Sequence, residues 1–369
     1  MNSTERIRAT YEFKPVDHLH RKEFYIWSEA IERWKSEGLP TDWNEKNLFN
    51  FDSGHSVGAG LSLGWCEPPF YPAYETKVIR REGDYEIIQD HAGRWLKVFA
   101  GRRHGFMPDY LKHVVTCRKD WEEDVASRLD PTTPERWQNL DQSCANAKRA
   151  AEERGMFASQ SMIGGYMYLR SMIGPEEVLY AFYDMPDLIH DMMQRWLELM
   201  DTAVAKIQER VELDELSIAE DICYNAGMLI SPDMFREFLM PYYQEVIKRA
   251  RCRQKRKIYV IVDTDGHAPA AIPLYLEVGM DVMWPFEVAS GCDVVEIGRQ
   301  YPELVMQGGI DKRVLAAGED AIEEHLQYII PTMLKRGGYI PMCDHGVPDN
   351  VSFENYMYYR KRICELDHF

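Results

Sequence analysis

The sequence predicts an α/β fold, a (β/α)8 TIM barrel with an N-terminal cap or insertion. From about residue 215 onward, short apolar runs alternate with longer amphipathic runs. Repeated strand–helix units with short crossovers indicate a parallel sheet. A doubly wound sheet fits the same pattern, but no G-x-G-x-x-G turn opens a helix, as a dinucleotide-binding sheet would require. The barrel is therefore favoured, with the first part of the chain supplying the remaining units.

The clearest strand–helix units lie in the second part of the chain. Strands are predicted at 215–221, 257–263, 282–287, 304–311 and 339–344, and helices follow them at 232–250, 268–278, 293–301, 319–335 and 352–366. Ser231 and Pro232 form a helix start, with a capping residue before a proline at the first helical position. Pro241 should kink that helix or split it in two.

The first part of the chain is less regular. Residues 23–38 predict an amphipathic helix, and residues 55–115 predict the first barrel strand with an inserted hairpin over the barrel mouth. A helix at 140–155, a strand at 156–161 and two helices within 175–211, broken near 184–186, complete the set. The whole chain, 1–369, is predicted to be one barrel domain: about 1–130 forms the cap and first strand, and about 131–369 forms the main barrel.

Composition excludes two classes of function. The net charge is −17, from 60 acidic and 43 basic residues, and such a surface repels nucleic acid and anionic membranes. The N-terminus lacks the apolar core of a signal peptide, and no apolar run is long enough to span a membrane. The eight cysteines are widely and irregularly spaced, which is typical of thiols in a reducing compartment. We therefore expect a cytoplasmic protein.

Acidic residues follow almost every late strand, where a TIM barrel places its active site. They are Glu220, Asp221, Asp263, Asp265, Glu287, Asp311 and Asp344, with His345 after the last. A carboxylate in a barrel mouth is costly unless it meets a metal, a cation or a proton. Each acid could instead cap the helix that follows it. DTDGH at 263–267 offers hard oxygen ligands and an imidazole within one loop, although Asp265 or His267 could serve as a cap.

Three further patterns could serve a ligand, and each has a structural alternative. His345 in MCDHG lies beyond the last strand, whereas Cys343 in the same run fits a core thiol. GGID at 308–311 permits close approach of a ligand to the backbone, or it meets a steric need at a barrel corner. An aromatic cluster could wall an aromatic substrate, although at least half of it fits the core. Its members are Trp65, Phe70, Tyr71 and Tyr74.

Several segments resemble the uroporphyrinogen decarboxylase superfamily of (β/α)8 barrels. They include the strings around DTDGHAPAAIPLYLEVGMDVMWPFE, MQGGIDKRVL and GGYIPMCDHGVPDN, in the same order, within 217–360. A weaker similarity covers 107–131. The resemblance implies one of two activities: decarboxylation of uroporphyrinogen, or methyl transfer involving a corrinoid protein. The family's decarboxylases carry an N-terminal arginine-rich stretch of the form RQAGRY that grips substrate carboxylates. Residues 1–60 contain no such stretch, so the decarboxylase-like enzyme is the alternative.

The family's thiol methyltransferases bind zinc through a His-x-Cys-Gly motif and a later cysteine. The matching positions here are Asp263, Asp265 and His345, so oxygen and imidazole replace the thiolates. A metal held by oxygen and imidazole ligands is unsuited to activating a thiol and is better suited to polarising an oxygen. The resemblance therefore implies an O-demethylase component, which cleaves a methyl ether, such as a methoxylated aromatic, and passes the methyl group to cobalamin on a separate corrinoid protein.

The resemblance, together with the strand-end pattern, assigns expected roles to residues. Catalytic roles are expected for His345, Asp265 and Asp221, and metal binding, with zinc as the candidate ion, for Asp263, Asp265 and His345. Contact with the cofactor is expected for Gly308, Gly309 and Asp311. Substrate binding is expected for Trp65, Tyr71, Tyr74 and Glu220. The expected partners are a methoxylated small molecule and a corrinoid protein, with a homodimer as the oligomer considered.

Overall fold

Thirteen strands lie in the described part of the chain, which in this computed structural model comprises residues 1–101 and 108–368. They are β1 (Ser56–Gly58), β2 (Lys77–Glu82), β3 (Tyr85–Gln89), β4 (Trp95–Phe99), β5 (Asp109–Lys112), β6 (Phe157–Ile163), β7 (Glu215–Ala219), β8 (Cys223–Tyr224), β9 (Gly227–Met228), β10 (Tyr259–Asp263), β11 (Val282–Trp284), β12 (Val305–Gln307) and β13 (Tyr339–Ile340). β1, β6, β7, β10, β11, β12 and β13 form one parallel sheet in that order. The sheet curls into a TIM-barrel fold, as predicted.

Helices connect and surround these strands. They are α1 (Ser3–Tyr11), α2 (Ser28–Ser36), α3 (Glu45–Phe49), α4 (Arg118–Asp120), α5 (Leu140–Arg154), α6 (Gly165–Ile173), α7 (Glu177–Asp184), α8 (Pro186–Gln208), α9 (Pro232–Phe238), α10 (Met240–Cys252), α11 (Ile272–Val278), α12 (Val294–Gln300), α13 (Lys312–Ala317), α14 (Glu319–Arg336) and α15 (Phe353–Leu366). The predicted break near Pro241 is confirmed: α9 ends at Phe238 and α10 begins at Met240. The Ser231 side chain caps α9 by accepting a hydrogen bond from the Met234 N–H at 3.2 Å.

The prediction of a helix over 23–38 is wrong for its first five residues, since α2 begins only at Ser28. Ile26 instead pairs in parallel with Val347, beyond β13. The Trp27 N–H donates to the Val347 carbonyl at 3.1 Å, and the Val347 N–H donates to the Tyr25 carbonyl at 3.0 Å. Pairing with the segment after β13 outweighs the helical pattern, so residues 25–27 run alongside that segment instead of forming a helix.

The lower end of the barrel is closed by the N-terminal helix α1. The Tyr11 hydroxyl donates to Glu215 at 2.9 Å, and the Tyr11 ring packs at 4.9 Å between centroids against Tyr259. Ile7 of the same helix packs into this small cluster and is fully buried. This helix therefore covers the end of the barrel opposite the carboxyl ends of the strands.

The insertion between β1 and β6 is larger than the predicted hairpin. β2, β3, β4 and β5 form a four-stranded antiparallel sheet. Arg94, just before β4, pairs with Asp90 at 2.7 Å and with Glu67 at 3.3 Å. Glu67 lies in the loop that carries Trp65, so these ion pairs tie the inserted sheet to the rim of the barrel. None of the described helices is long and apolar enough to cross a membrane.

Candidate active site

A cavity of about 530 Å³ opens at the carboxyl end of the barrel. Its size is within the range of small-molecule sites. Five aromatic residues and a few small or polar residues from β6, β7 and β10 line it: Phe24, Tyr25, Trp27, Trp65, Trp284, Ser161, Ser217, Ile218, Ala219 and Asp263. The strand residues near the rim are mostly small, which leaves the interior open. The aromatic residues come from the segment before α2, the loop after β1 and the end of β11.

Asp263 is the charged residue of this lining. Its position follows from strand register, because its Cα pairs with Ala219 on one side and Trp284 on the other. Among the described residues, no ion pair or hydrogen bond to its carboxylate is found. Burial raises its pKa well above the usual range, and the neighbouring Asp265 and Asp221 carboxylates raise it further. Its surroundings therefore favour the protonated form of Asp263, which can donate a hydrogen bond into the cavity.

Asp265 and His345 meet at the rim of the cavity. The Nε2 atom of His345 lies 3.6 Å from Oδ2 of Asp265, and its Nδ1 atom lies 3.3 Å from the Tyr25 hydroxyl. Burial, with the carboxylates of Asp221 and Glu287, raises the pKa of Asp265 to about 7. Burial and the nearby Lys312 ammonium lower the pKa of His345. Asp265 can thus hold or release a proton near neutral pH, beside an imidazole that is largely neutral.

Asp221 lies beside this pair, in the left-handed backbone region with a φ of 48°. Its Oδ2 atom is 4.0 Å from the Arg170 guanidinium. Burial raises its pKa, while Arg170 opposes that rise. A left-handed backbone is costly for aspartate and persists only where its surroundings enforce it, which is common at functional sites. The three residues expected to be catalytic, His345, Asp265 and Asp221, therefore lie together at one rim.

The remaining strand-end acids have internal partners. Glu287 accepts from the Lys312 ammonium at 2.9 Å and from the Gly266 N–H at 3.0 Å. Asp344 is fully buried and accepts from the N–H groups of Val288 and Lys312, at 2.9 and 3.0 Å. These two acids hold the loops of the rim in place. Sequence analysis did not single out Lys312, although it directly follows the strand-end Asp311.

The predicted metal ligands do not form a metal site in this structure. In the residues that the structure describes, no three His, Cys, Asp or Glu side chains are arranged to share an ion. Asp265 contacts His345, whereas Asp263 lies in the cavity wall. The Nδ1 atom of His267 lies 2.7 Å from the Ser290 carbonyl oxygen, so this imidazole secures its own loop. Aspartate and histidine are ligand types that zinc accepts, but these three side chains are not gathered around one point here, so the zinc site stays a prediction.

Glu220, expected to bind substrate, points away from the mouth. It is 2% exposed. Its carboxylate accepts from the N–H groups of Tyr166 and Met167, at 2.9 and 3.2 Å, and from the hydroxyls of Tyr243 and Tyr275. Burial raises its pKa to about 7. Both residues follow the end of β7, yet Asp221 lies beside Asp265 while Glu220 anchors the start of α6.

The glycines expected to contact a cofactor are enclosed by protein. Both have positive φ, 108° at Gly308 and 77° at Gly309. A Cβ on Gly308 would overlap the Pro285 carbonyl, and one on Gly309 would overlap the Val294 side chain. Asp311 caps α13, accepting from the Arg313 N–H at 2.8 Å, and pairs with the Arg313 guanidinium. These contacts match the structural alternatives, a tight corner and a helix cap.

The predicted aromatic wall is divided between two cavities. Trp65, 60% exposed, lines the barrel cavity and also a second cavity of about 590 Å³ outside the barrel wall. Tyr71 lines only the second cavity. Tyr74 lines neither; its hydroxyl donates to Asp124 at 2.8 Å, and the Arg128 guanidinium lies over its ring. Sequence analysis missed Phe24, Tyr25, Trp27 and Trp284. The run FYIW at 24–27 and the run WPF at 284–286, which begins on the last residue of β11, were the available signals.

Comparison with known proteins relates the chain to uroporphyrinogen decarboxylases. A model of the family described as Uroporphyrinogen decarboxylase (URO-D) matches residues 113–365. Two curated uroporphyrinogen decarboxylases are similar to the chain. The protein from Trichlorobacter lovleyi is 24% identical over 176 residues, which is 47% of this chain and 48% of the relative. The protein from Alcanivorax borkumensis is 25% identical over 195 residues, which is 50% of each. The chain thus spans about half the length of these relatives.

One solved structure resembles the whole fold. A methyltransferase from Methanosarcina mazei superposes with a TM-score of 0.60 and 13% identity, covering 99% of each chain. At this identity the likeness concerns the fold. The family match covers most of the chain, including every strand from β6 to β13. The chain therefore belongs to the uroporphyrinogen decarboxylase (URO-D) family.

Proposed function

We propose that the chain is a methyltransferase that removes a methyl group from a methyl ether, such as a methoxylated aromatic, and passes it to the cobalt of a separate corrinoid protein. The observation that carries this proposal is the barrel cavity: aromatic side chains wall it, and protonatable Asp263 and Asp265 lie in or beside it. The M. mazei methyltransferase supports it at the level of fold.

The chain's own residues would supply binding and a proton. Aromatic walls would hold the ring of the substrate by stacking and edge contacts. A phenolate is a poor leaving group, so the ether oxygen must receive a hydrogen bond or a proton as the methyl group departs. In its protonated form Asp263 would donate that hydrogen bond inside the cavity, and Asp265, with a pKa of about 7, would deliver a proton at the rim.

His345 would position and tune Asp265. Its neutral imidazole lies between Asp265 and the Tyr25 hydroxyl. Asp221 stands beside the pair and disfavours ionisation of Asp265. Cobalamin, bound to its own protein, would supply the nucleophile that accepts the methyl group.

A decarboxylase is the second candidate, favoured by the curated relatives that carry that name. Uroporphyrinogen-like substrates bear several carboxylates and are best held by arginine. The described lining of the barrel cavity contains the Asp263 carboxylate and no lysine or arginine. That lining suits a neutral or cationic ligand better than a polyanion, so we favour methyl transfer.

One assay separates the two candidates. Purified protein would be incubated with reduced cobalamin and a panel of methoxylated aromatics, and methylcobalamin would be followed by absorbance. Formation that depends on both the protein and a methoxylated compound supports the proposal. Absence of methylcobalamin across the panel, together with release of carbon dioxide from a carboxylic acid, would assign the chain to the decarboxylases.

A further inference from the structure

The aromatic residues of the barrel cavity are arranged as a cage. Phe24 contacts Tyr25 with ring centroids 4.5 Å apart and planes at 69°, and contacts Trp284 at 4.4 Å and 80°. Tyr25 contacts Trp27 at 5.0 Å and 77°. Consecutive rings therefore stand nearly perpendicular, as the walls of a box do. Trp65 comes from the loop after β1 and adds a fifth ring.

These rings keep exposed surface, although Trp284 also packs against the buried cluster that contains Tyr11 and Tyr259. All five aromatic side chains are partly or largely exposed, although large aromatic side chains usually gain stability by burial. Trp27 is 36% exposed and Trp65 is 60% exposed. The rings thus keep surface that faces the cavity and its opening. A ligand that covers this surface would bury it.

The charges around the cage are negative. Asp263 lines the cavity, and Asp221 and Asp265 stand close enough to raise its pKa. Two nearby cations form ion pairs with other acids: Lys312 pairs with Glu287 at 2.9 Å, and Arg170 lies 4.0 Å from Asp221. A positive ligand would favour the ionised form of Asp263, which burial and the neighbouring carboxylates otherwise oppose, and it would also be attracted to the faces of the aromatic rings.

We propose that the barrel cavity binds the N-methylated ammonium group of a small ligand, such as a trimethylammonium group. Such a group is weakly hydrated and has no N–H to satisfy, so it suits a cavity whose polar lining is two serines and one carboxylate. An anionic ligand would meet Asp263 without a compensating cation. The cage of perpendicular rings and the single carboxylate together favour a weakly hydrated organic cation.

This inference goes beyond the proposed function, because it concerns the charge of the ligand and not the fate of a methyl group. It adds a ligand class to the methyl ethers proposed above. A binding measurement tests it without any corrinoid, so the two proposals can fail separately.

The test compares two ligands of nearly the same shape. Choline carries a trimethylammonium group, and 3,3-dimethylbutan-1-ol carries a neutral tert-butyl group in its place. Isothermal titration calorimetry of the full chain with each would give the effect of the charge. We expect choline to bind at least about tenfold more tightly, a difference of about 1.4 kcal/mol. Equal affinities, or no binding of either compound by folded protein, would overturn the proposal.

Variants locate the binding. Asp263→Asn should reduce choline affinity to that of the neutral alcohol and leave alcohol binding unchanged. Trp27→Leu removes a partly exposed ring and should weaken choline binding at least about fivefold. Tyr183→Leu is the matched control, since Tyr183 is 74% exposed on α7 and lies outside the cavity lining. Circular dichroism would verify folding of each variant. If Tyr183→Leu weakens binding as much as Trp27→Leu does, the cage is not the site.

Discussion

The Nε2 atom of His345 lies 3.6 Å from the Oδ2 atom of Asp265. The two residues come from different strand ends, after β13 and after β10, and the barrel alone brings them together. Their pKa values move in opposite directions, since burial raises that of Asp265 to about 7 and lowers that of His345. The pair is thus suited to carry one proton near neutral pH, at the rim of an aromatic cavity.

His345→Ala should lower methyl transfer about a hundredfold, the usual cost of losing a residue that positions or carries a catalytic proton. Folding should be retained, because residues at this face of a barrel serve function more than stability. Initial rates of methylcobalamin formation, with circular dichroism as the folding control, check both statements. Equal rates in the parent and the variant would remove His345 from the mechanism.

Asp265→Asn should stabilise the folded protein at high pH. The pKa of Asp265 is about 7 in the folded state, above its ordinary value, so the folded state binds more protons than the unfolded state between these two values. Ionisation therefore costs stability as the pH rises toward 7. The variant should melt on the order of 2 °C higher than the parent near pH 8, and at nearly the same temperature near pH 4. Thermal melts at both pH values test this, and a lower melting temperature of the variant near pH 8 would refute it.

Much of the fold followed from patterns within single segments. Alternating strand and helix patterns predicted the barrel, and the helix break near Pro241 followed from local chemistry. The segment around Tyr25 was missed because its helical pattern gives way to pairing with Val347, more than 300 residues away in the chain. A contact between such distant residues leaves no local signal, so three of the five cage residues were missed with it.

The candidate site was predictable only in part, for a similar reason. Strand ends indicated which acids could reach the mouth, and Asp221, Asp263, Asp265 and His345 do lie there. Side-chain direction at each strand end was not predictable. Glu220 follows β7 directly, yet it turns into the helical layer, where Tyr243 and Tyr275 lie.

Glu220→Ala should destabilise the fold rather than weaken substrate binding. It would leave the hydroxyls of Tyr243 and Tyr275 and two backbone N–H groups buried without their acceptor. Unsatisfied buried donors and the resulting cavity should together cost about 3 kcal/mol of unfolding free energy. Urea denaturation measures it. Glu220→Gln, which keeps the shape and one acceptor oxygen, should cost less. A stable Glu220→Ala variant with weakened substrate binding would instead support the substrate-binding role.

Gly308→Ala should destabilise the protein whether or not a cofactor contacts this loop. Its φ of 108° is unfavourable for alanine, and the added methyl group would overlap the Pro285 carbonyl. A loss of about 2 kcal/mol or more in unfolding free energy is expected. Gly54→Ala is the matched control, because Gly54 has no atom within 4 Å of an added Cβ. The control should stay within about 0.5 kcal/mol of the parent. If both variants match the parent, the loop has room that the structure does not show.

The most direct test of the proposed methyl transfer follows the methyl carbon itself. Methoxylated aromatics labelled with carbon-13 in the methyl group would be mixed with reduced cobalamin and the full chain, and the products would be examined by NMR and mass spectrometry. We expect the label to leave the ether, appear on cobalt and leave a free phenol, and we expect Asp265→Asn to slow this transfer. Recovery of every labelled ether unchanged, with carbon dioxide released from a carboxylic acid by the same preparation, would contradict it.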